Sequence, residues 1–151
     1  MLTAYEIVAL GRYPHTNWAG KLTSKDHEII QWSIEMTGAK ELSDRVLSEL
    51  SDGERQKVMV ARALAQEPEV MILDEVTAFL DLPRRVEIMH LLRKLAHTTN
   101  KAILLSTHDM DLALRNADCL WVLPKEGALQ LGAPEDLVLN GALELAFASE
   151  G

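Results

Sequence analysis

The stretch Val70-Met71-Ile72-Leu73-Asp74-Glu75 decides the fold, because a continuous run of four apolar residues ends there in two carboxylates. Such a run, without alternation, indicates a strand that is buried on both faces, as in a parallel sheet. A second run of the same kind, Ala102-Ile103-Leu104-Leu105, leads into Ser106-Thr107-His108-Asp109. We therefore predict two buried strands that each end in polar residues.

Helical patterns occupy the segments around these strands. Helices are predicted for Ser24 to Gly38, about Lys40 to Leu47, Asp52 to Gln66, Pro83 through Leu95 and Leu112–Asn116. The end of the chain has a third apolar run, Cys119–Leu123, a hairpin-like turn at Lys125-Glu126-Gly127 and a closing helix from Pro134. Strands that alternate with helices over short connections predict an α/β fold with right-handed crossovers.

Composition and charge exclude several classes of protein. The 151 residues are 48% hydrophobic and 25% charged, which predicts one ordinary globular domain with a packed core. The net charge of −8 argues against broad binding to nucleic acid or anionic lipid, because both need a basic footprint.

No stretch approaches the roughly 18–20 apolar residues of a membrane span, so no direct membrane insertion is expected. The single cysteine, Cys119, indicates a reduced, cytosolic protein in which this side chain is buried.

The segment Leu50-Ser51-Asp52-Gly53-Glu54 places a hydroxyl residue and a glycine at a predicted helix start. Gly53 allows close approach to the backbone, and the first N–H groups and the positive dipole end of a helix attract an anion such as phosphate. The alternative is an ordinary helix cap by Ser51 and Asp52, with Glu54 in the first turn.

The residues that follow the two apolar runs form two further candidate groups. Asp74 and Glu75 suit a divalent metal ligand and a base that polarises water, or they belong to a solvated turn. His108 can hydrogen-bond a terminal phosphate, or it is a histidine at a helix N-terminus beside the Asp109 cap.

The three groups follow in one order along the chain, and together they resemble the ATP-binding subunit of ABC transporters. Leu50–Glu54 matches the signature motif of that family, and Val70–Glu75 matches its Walker B strand with the terminal glutamate. Phe79-Leu80-Asp81 matches the D-loop, and His108 matches the switch histidine. The resemblance implies a P-loop NTPase-like parallel sheet with flanking helices and an ABC helical subdomain.

The resemblance also implies how ATP is bound. Ser51 and Gly53 would bind the γ-phosphate of an ATP held mainly by the opposite subunit of a head-to-tail dimer, and Asp81 would communicate across that dimer. The implied nucleotide-binding residues are Ser51, Asp52, Gly53, Glu54 and Asp81.

The implied catalytic residues lie at the ends of the two apolar runs. Asp74 would help to hold Mg²⁺ through water, and Glu75 would act as general base or orient the attacking water. His108 would contact the γ-phosphate.

A narrower resemblance concerns Val8–His15 and Phe79–Pro83, which are similar to importers of iron–siderophore complexes, haem or cobalamin. It implies a cytoplasmic protein on the inner face of the cell membrane, bound to permease subunits. The implied organisation is a helical subdomain that faces the permease, a core with the motifs, and a C-terminal hairpin with helices, over about 14–50, 51–124 and 125–151.

Two features depart from the family. Val76 stands where the family has proline after the Walker B glutamate. A Walker A loop, G-x₄-G-K-[ST], is missing, because Gly20-Lys21 has His15 five positions before Gly20 and Leu22 after it. We therefore expect the chain to begin just after the glutamine loop, without the P-loop strand and the antiparallel β subdomain.

This absence predicts that the chain alone has no appreciable ATPase activity, and that buried strands lose backbone partners. Two other function classes stay open. One is a non-catalytic fragment that docks on a permease or on a complete ATPase subunit. The other is an ABC ATPase of DNA repair or chromosome structure, which the absence of sustained heptads in this sequence disfavours.

Overall fold

The computed structural model describes residues 1–18, 20–124 and 127–147. Lys125 and Glu126 of the predicted turn therefore lie outside the described residues. The chain divides into two compact units, Met1–Ser106 and Thr107–Gly151, and each is described by itself. No helix within the described ranges is long and apolar enough to cross a bilayer.

The described residues of the first unit form four α-helices and two strands. The helices are α1 (Ala4–Ala9), α2 (Ser24–Met36), α3 (Asp52–Ala65) and α4 (Leu82–Thr99), and the strands are β1 (Val70–Leu73) and β2 (Ala102–Leu105). Short 3₁₀ turns lie at Leu10–His15, Lys40–Leu42 and Leu47–Glu49. The structure thus confirms the predicted α/β fold class and three of the predicted helices in this unit, α2, α3 and α4.

The predicted helix over Lys40–Leu47 is wrong, because the backbone there hydrogen-bonds to the start of the chain. The first-turn amides of α1 donate to backbone carbonyls of this segment. Ala4 N–H donates to the Arg45 carbonyl at 2.9 Å, and Tyr5 N–H donates to the Ser43 carbonyl at 2.9 Å. Val46 also forms an antiparallel bridge with Thr3. These carbonyls accept from α1 amides that have no acceptor inside their own helix. Because they are used in this way, the segment Lys40–Leu47 does not form an α-helix of its own.

β1 and β2 pair in parallel, from Val70 with Ala102 to Leu73 with Leu105. The prediction that both strands are buried on both faces is wrong. Met71 is 3% exposed and packs against α3 and α4, whereas Ile72, on the opposite face, is 75% exposed. The reason is that helices cover one face only, and among the described residues each strand has a hydrogen-bonded neighbour on one side only.

Each of the four α-helices described in this unit begins at a side-chain cap, and Thr3 caps α1 by exchanging hydrogen bonds with Glu6. Thr23 caps α2 and exchanges hydrogen bonds with Asp26, and Ser51 caps α3 and exchanges hydrogen bonds with Glu54. Asp81 caps α4 and is followed by a proline in the first turn. Such caps satisfy amides that have no acceptor inside the helix.

A buried ion cluster joins the 3₁₀ turn after α1 to α2 and α3. Arg12, which is 3% exposed, donates from Nε to Asp26 Oδ1 and from Nη1 to the Ala65 carbonyl and Glu67 Oε2, all at 2.8 Å. Hydrogen bonds from Thr23, reinforced by Arg12, hold the pKa of the Asp26 carboxyl far below its ordinary value. The cluster therefore fixes one end of α3.

In the second unit, the part that the structure describes forms a hairpin and three short helices. Its elements are α5 (Met110–Asn116), β3 (Leu120–Val122), β4 (Gln130–Gly132), α6 (Pro134–Leu139) and α7 (Ala142–Phe147). β3 and β4 pair antiparallel, and Val122, Leu137 and Ala142 form the small core. The predicted burial of Cys119 is wrong: the paired strand begins only at Leu120, and the thiol is exposed.

Candidate functional site

A serine that follows β2 contacts both acidic residues that follow β1. The Glu75 backbone N–H donates to Ser106 Oγ at 3.0 Å, and this hydroxyl donates to Asp74 Oδ1 at 2.5 Å. Parallel pairing of Leu73 with Leu105 puts the next residue of each strand at the same edge of the sheet. Ser106 therefore orients the Asp74 carboxylate and holds the backbone of Glu75, a role that was not predicted for this residue.

The chain turns sharply directly after β1. Glu75 has a φ of 45°, in the left-handed region, and its carbonyl accepts the Ala78 N–H at 2.9 Å. Val76 is buried under this turn, in the core beside α3 and α4, while Asp74 and Glu75 stay exposed. The valine that departs from the family proline thus serves as a core residue and leaves the carboxylates at the surface.

The acidic pair offers oxygen donors of the kind that Mg²⁺ prefers. Mg²⁺ takes one or two carboxylates and completes its shell with water and substrate phosphates. Asp74 is exposed and its Oδ1 is held by Ser106, which fits one such ligand. Across the described residues no group of three or more acidic, histidine or cysteine side chains is arranged to hold a metal.

The start of α3 carries a reciprocal cap. Ser51 N–H and Ser51 Oγ both donate to Glu54 Oε2 at 2.8 Å, and Glu54 N–H donates back to Ser51 Oγ at 3.4 Å. Glu54 Oε1 pairs with Arg45 at 3.1 Å. The hydrogen bonds from Ser51 lower the pKa of Glu54 below its ordinary value, so a carboxylate lies at the predicted anion-binding helix end.

The start of α4 lies against the start of α3. A Cβ atom on Gly53 would lie 3.1 Å from Arg84 Cδ, so this glycine makes room for the arginine side chain. Arg84 also donates its backbone N–H to Asp81 Oδ1 at 3.0 Å. Glu87 pairs with Arg84 at 2.9 Å and with Lys57 of α3 at 2.5 Å, and both contacts lower its pKa. Signature and D-loop residues are thereby held together.

The loop before α4 exposes an aromatic side chain. Phe79 has a φ of 66° and is almost fully exposed, whereas Leu80 beside it is buried. A bulky residue in the left-handed region is unusual. The D-loop segment is therefore anchored by Leu80 and Asp81 and presents Phe79 to the outside.

A concave surface separates α3 from the end of β1. The cavity has a volume of about 390 Å³ and is lined by the polar side chains of Gln56, Arg62, Gln66 and Asp74 together with apolar side chains. The Arg62 Nε is buried and has no hydrogen-bond partner among the residues that the structure describes. Asp74 therefore borders a recess rather than a flat surface.

His108 lies in the second unit, in the residue before the cap of α5. The Asp109 carboxylate accepts the Leu112 N–H at 3.1 Å, and the Asp109 N–H donates to Thr107 Oγ1 at 3.1 Å. The histidine thus occupies a helix N-terminus, as the alternative interpretation of this position expected.

Comparison with known proteins places this geometry in a family. The sequence profile of the ABC transporter family matches residues 2–78. An ABC transporter ATP-binding protein of Methanocaldococcus jannaschii is 46% identical over 137 residues, which are 91% of this chain and 47% of that protein. The petrobactin import ATP-binding protein of Bacillus anthracis is 37% identical over 150 residues, or 99% of this chain and 55% of that protein.

The fold agrees with the sequence comparison. A solved ABC transporter in an inward-facing conformation, described as metal-chelate type, superposes with a TM-score of 0.88 at 28% identity, over 97% of this chain and 58% of that one. The molecule thus has the α/β fold of ABC ATPases. The chain belongs to the ABC transporter family, and it spans about half the length of the curated relatives that it matches.

Proposed function

We propose that this chain forms the part of an ABC importer ATP-binding subunit that acts on the terminal phosphate of ATP. The observation that carries the proposal is the exposed acidic pair Asp74 and Glu75 at the end of β1, where Ser106 holds the Asp74 carboxylate and the Glu75 backbone. Membership of the ABC transporter family supports it.

In this proposal the two carboxylates have different roles. Asp74, held at one oxygen by Ser106, binds Mg²⁺ through water. The bound ion neutralises charge on the phosphates. Glu75 orients the attacking water or accepts its proton, and the left-handed turn at this residue directs the chain away from the strand.

The start of α3 supplies the second half of the proposed phosphate site. Ser51 and Gly53, with Asp52 in the same turn, face the γ-phosphate of an ATP held mainly by a second subunit in a head-to-tail dimer. Asp81 transmits the state of that dimer through the contact of Arg84 with Gly53. His108 contacts the γ-phosphate.

The loop that holds the nucleotide is supplied from outside this sequence. The sequence contains no Walker A pattern, and the relatives are about twice as long as their match to this chain. Residues 14–50 form the helical subdomain that contacts permease subunits at the inner face of the cell membrane. Import of petrobactin by the Bacillus anthracis relative and of cobalamin by a Halobacterium salinarum relative supports an iron–siderophore, haem or cobalamin compound as cargo.

One observation favours a second candidate, a non-catalytic docking fragment. One face of the β1–β2 sheet is apolar and exposed, and it is formed by Val70, Ile72 and Leu104. Parallel sheets are ordinarily covered on both faces, so this face favours a partner that covers it. In this second candidate, a permease or a complete ATPase subunit covers this face, and the chain binds it without hydrolysing ATP.

Equilibrium dialysis with Mg²⁺-ATP separates the two candidates. The chain is measured alone and mixed with the portion of the Bacillus anthracis relative that lies outside its match to this chain. We expect no binding by either part alone and binding by the mixture. A mixture that associates without binding ATP would favour the docking fragment.

A further inference from the structure

We propose that the loop before α2 contacts the anionic phospholipid headgroups of a membrane surface. This loop, called the aromatic loop below, comprises residues 13–18 together with Gly20 and Lys21. The contact involves neither nucleotide nor permease, so it goes beyond the proposed function. It lies at the surface of the bilayer, and no part of the chain has to span the membrane.

The base of the aromatic loop is fixed to the core of the first unit. Arg12, directly before the loop, is buried and pairs with Asp26 and Glu67, both at 2.8 Å. His15 Nε2 lies 2.9 Å from the carbonyl oxygen of Gln66 at the end of α3. The loop therefore leaves the core at a defined place, and the carboxylate of Glu67 at its base is already paired with a cation.

Two turns present a tryptophan at the tip of the aromatic loop. Thr16 N–H donates to the Tyr13 carbonyl at 3.2 Å, and Gly20 N–H donates to the Asn17 carbonyl at 2.9 Å. Gly20 has a φ of 65°, in the left-handed region that glycine adopts readily. Trp18 lies within the second turn and is 98% exposed. The backbone therefore holds this large side chain out in solvent, and such exposure of an apolar surface indicates a contact outside the chain.

The chemistry of the surrounding side chains indicates an anionic surface. Tyr13, Lys21 and Lys25 are all exposed. No acidic residue occurs between Glu6 and Asp26, although the whole chain has a net charge of −8. Tryptophan and tyrosine concentrate where a membrane meets water, because each has an apolar ring with a polar edge. Lysines near the surface are attracted to anionic lipid. The aromatic loop is thus a local basic and aromatic surface on an acidic protein.

The small size of the projection favours lipid over a protein partner. A stable protein interface buries about 800 Å² on each partner and has an apolar core. Thr16 and Asn17, which precede Trp18 in the loop, are polar, so the tryptophan is an isolated apolar projection. A projection of this kind gains free energy by burying its ring among headgroups, while Lys21 remains in reach of lipid phosphates.

The test is cosedimentation of the purified chain with two kinds of vesicle. One kind is phosphatidylcholine alone, and the other is phosphatidylcholine mixed with an equal amount of phosphatidylglycerol. We expect binding to the anionic vesicles only, and weaker binding as salt is raised. Trp18→Ala should lower the partition coefficient about tenfold, and Lys21→Gln about fivefold. Both side chains are exposed, so the urea midpoints should not change.

The matched controls remove the same side chains from exposed positions outside the loop. Trp121→Ala and Lys94→Gln should change the partition coefficient by less than about twofold, because groups outside the contact are screened by salt. Phosphatidylcholine brominated in its acyl chains, added to the anionic vesicles, should quench the tryptophan fluorescence of the unsubstituted chain and of Trp121→Ala. The quenching should be lost in Trp18→Ala.

Two results would overturn the inference. One is the absence of binding to anionic vesicles by the unsubstituted chain at low salt, which would leave the aromatic loop as a surface for the permease. The other is an equal loss of binding in the loop variants and the controls. Neither result bears on the nucleotide site, so the proposed function would stand in both cases.

Discussion

Arg12→Met is expected to be among the most damaging single substitutions in the first unit. The guanidinium is buried and donates to Asp26, Glu67 and the carbonyl of Ala65. Methionine keeps much of the volume but leaves Asp26, which is 4% exposed, without its cation. Breaking a buried ion pair by removal of one partner costs about 3–5 kcal/mol, a large part of the roughly 5–15 kcal/mol that stabilises a typical domain.

Urea unfolding measured by tryptophan fluorescence can follow the first unit alone. Trp18 and Trp121 are both exposed, so a Trp18→Phe, Trp121→Phe background leaves Trp32 of α2 as the reporter. The free energy of unfolding is compared between this background and the same background carrying Arg12→Met. We expect the urea midpoint to fall sharply when the arginine is replaced.

Arg84→Met is the matched control, because it makes the same chemical change in an exposed ion pair. The Arg84 side chain is 51% exposed, and its partner Glu87 is bound by Lys57 as well. Solvent screens such pairs, so the loss should be a small fraction of that for Arg12→Met. Equal losses for the two variants would refute the reasoning that the Arg12 cluster is a buried structural element.

Other predictions concern pH, the sheet and one close backbone contact. The pKa of Asp26 is lower in the folded chain than the ordinary value of about 3.9. The stability that this carboxylate contributes is therefore complete above about pH 5 and is lost as the pH falls below about 4. The urea midpoint should drop less between about pH 7 and about pH 3 in Asp26→Asn than in the unsubstituted chain. Met71→Ala should cost about 2–5 kcal/mol in unfolding free energy, and Ile72→Ala on the exposed face no more than about 0.5 kcal/mol. A Cβ on Gly11 would lie 2.3 Å from the Arg62 carbonyl oxygen, so Gly11→Ala should lower the melting temperature, with a loss of about 1–3 kcal/mol.

Local signals were sufficient to predict the elements that begin at caps or consist of continuous apolar runs. The helix starts predicted at Ser24 and Asp52 are confirmed, with Thr23 and Ser51 as their caps. The run Val70–Leu73 predicted β1. In each case the physical cause lies within a few residues of the element.

Features that depend on distant partners could not be predicted. The segment Lys40–Leu47 does not form the predicted helix, because its backbone hydrogen-bonds to Ala4 and Tyr5. The exposure of Ile72 depends on what covers the sheet, which an apolar run does not specify. The role of Ser106 follows from the pairing of two strands that are separated in sequence by a whole helix.

The most direct test of the account is the rate of Mg²⁺-dependent ATP hydrolysis by this chain, alone and mixed with the non-matching portion of the Bacillus anthracis relative. We expect no hydrolysis by the chain alone, and hydrolysis by the mixture that Glu75→Gln in this chain abolishes. Hydrolysis by the chain alone that is lost in Glu75→Gln, or activity of the mixture that survives Glu75→Gln, would contradict it.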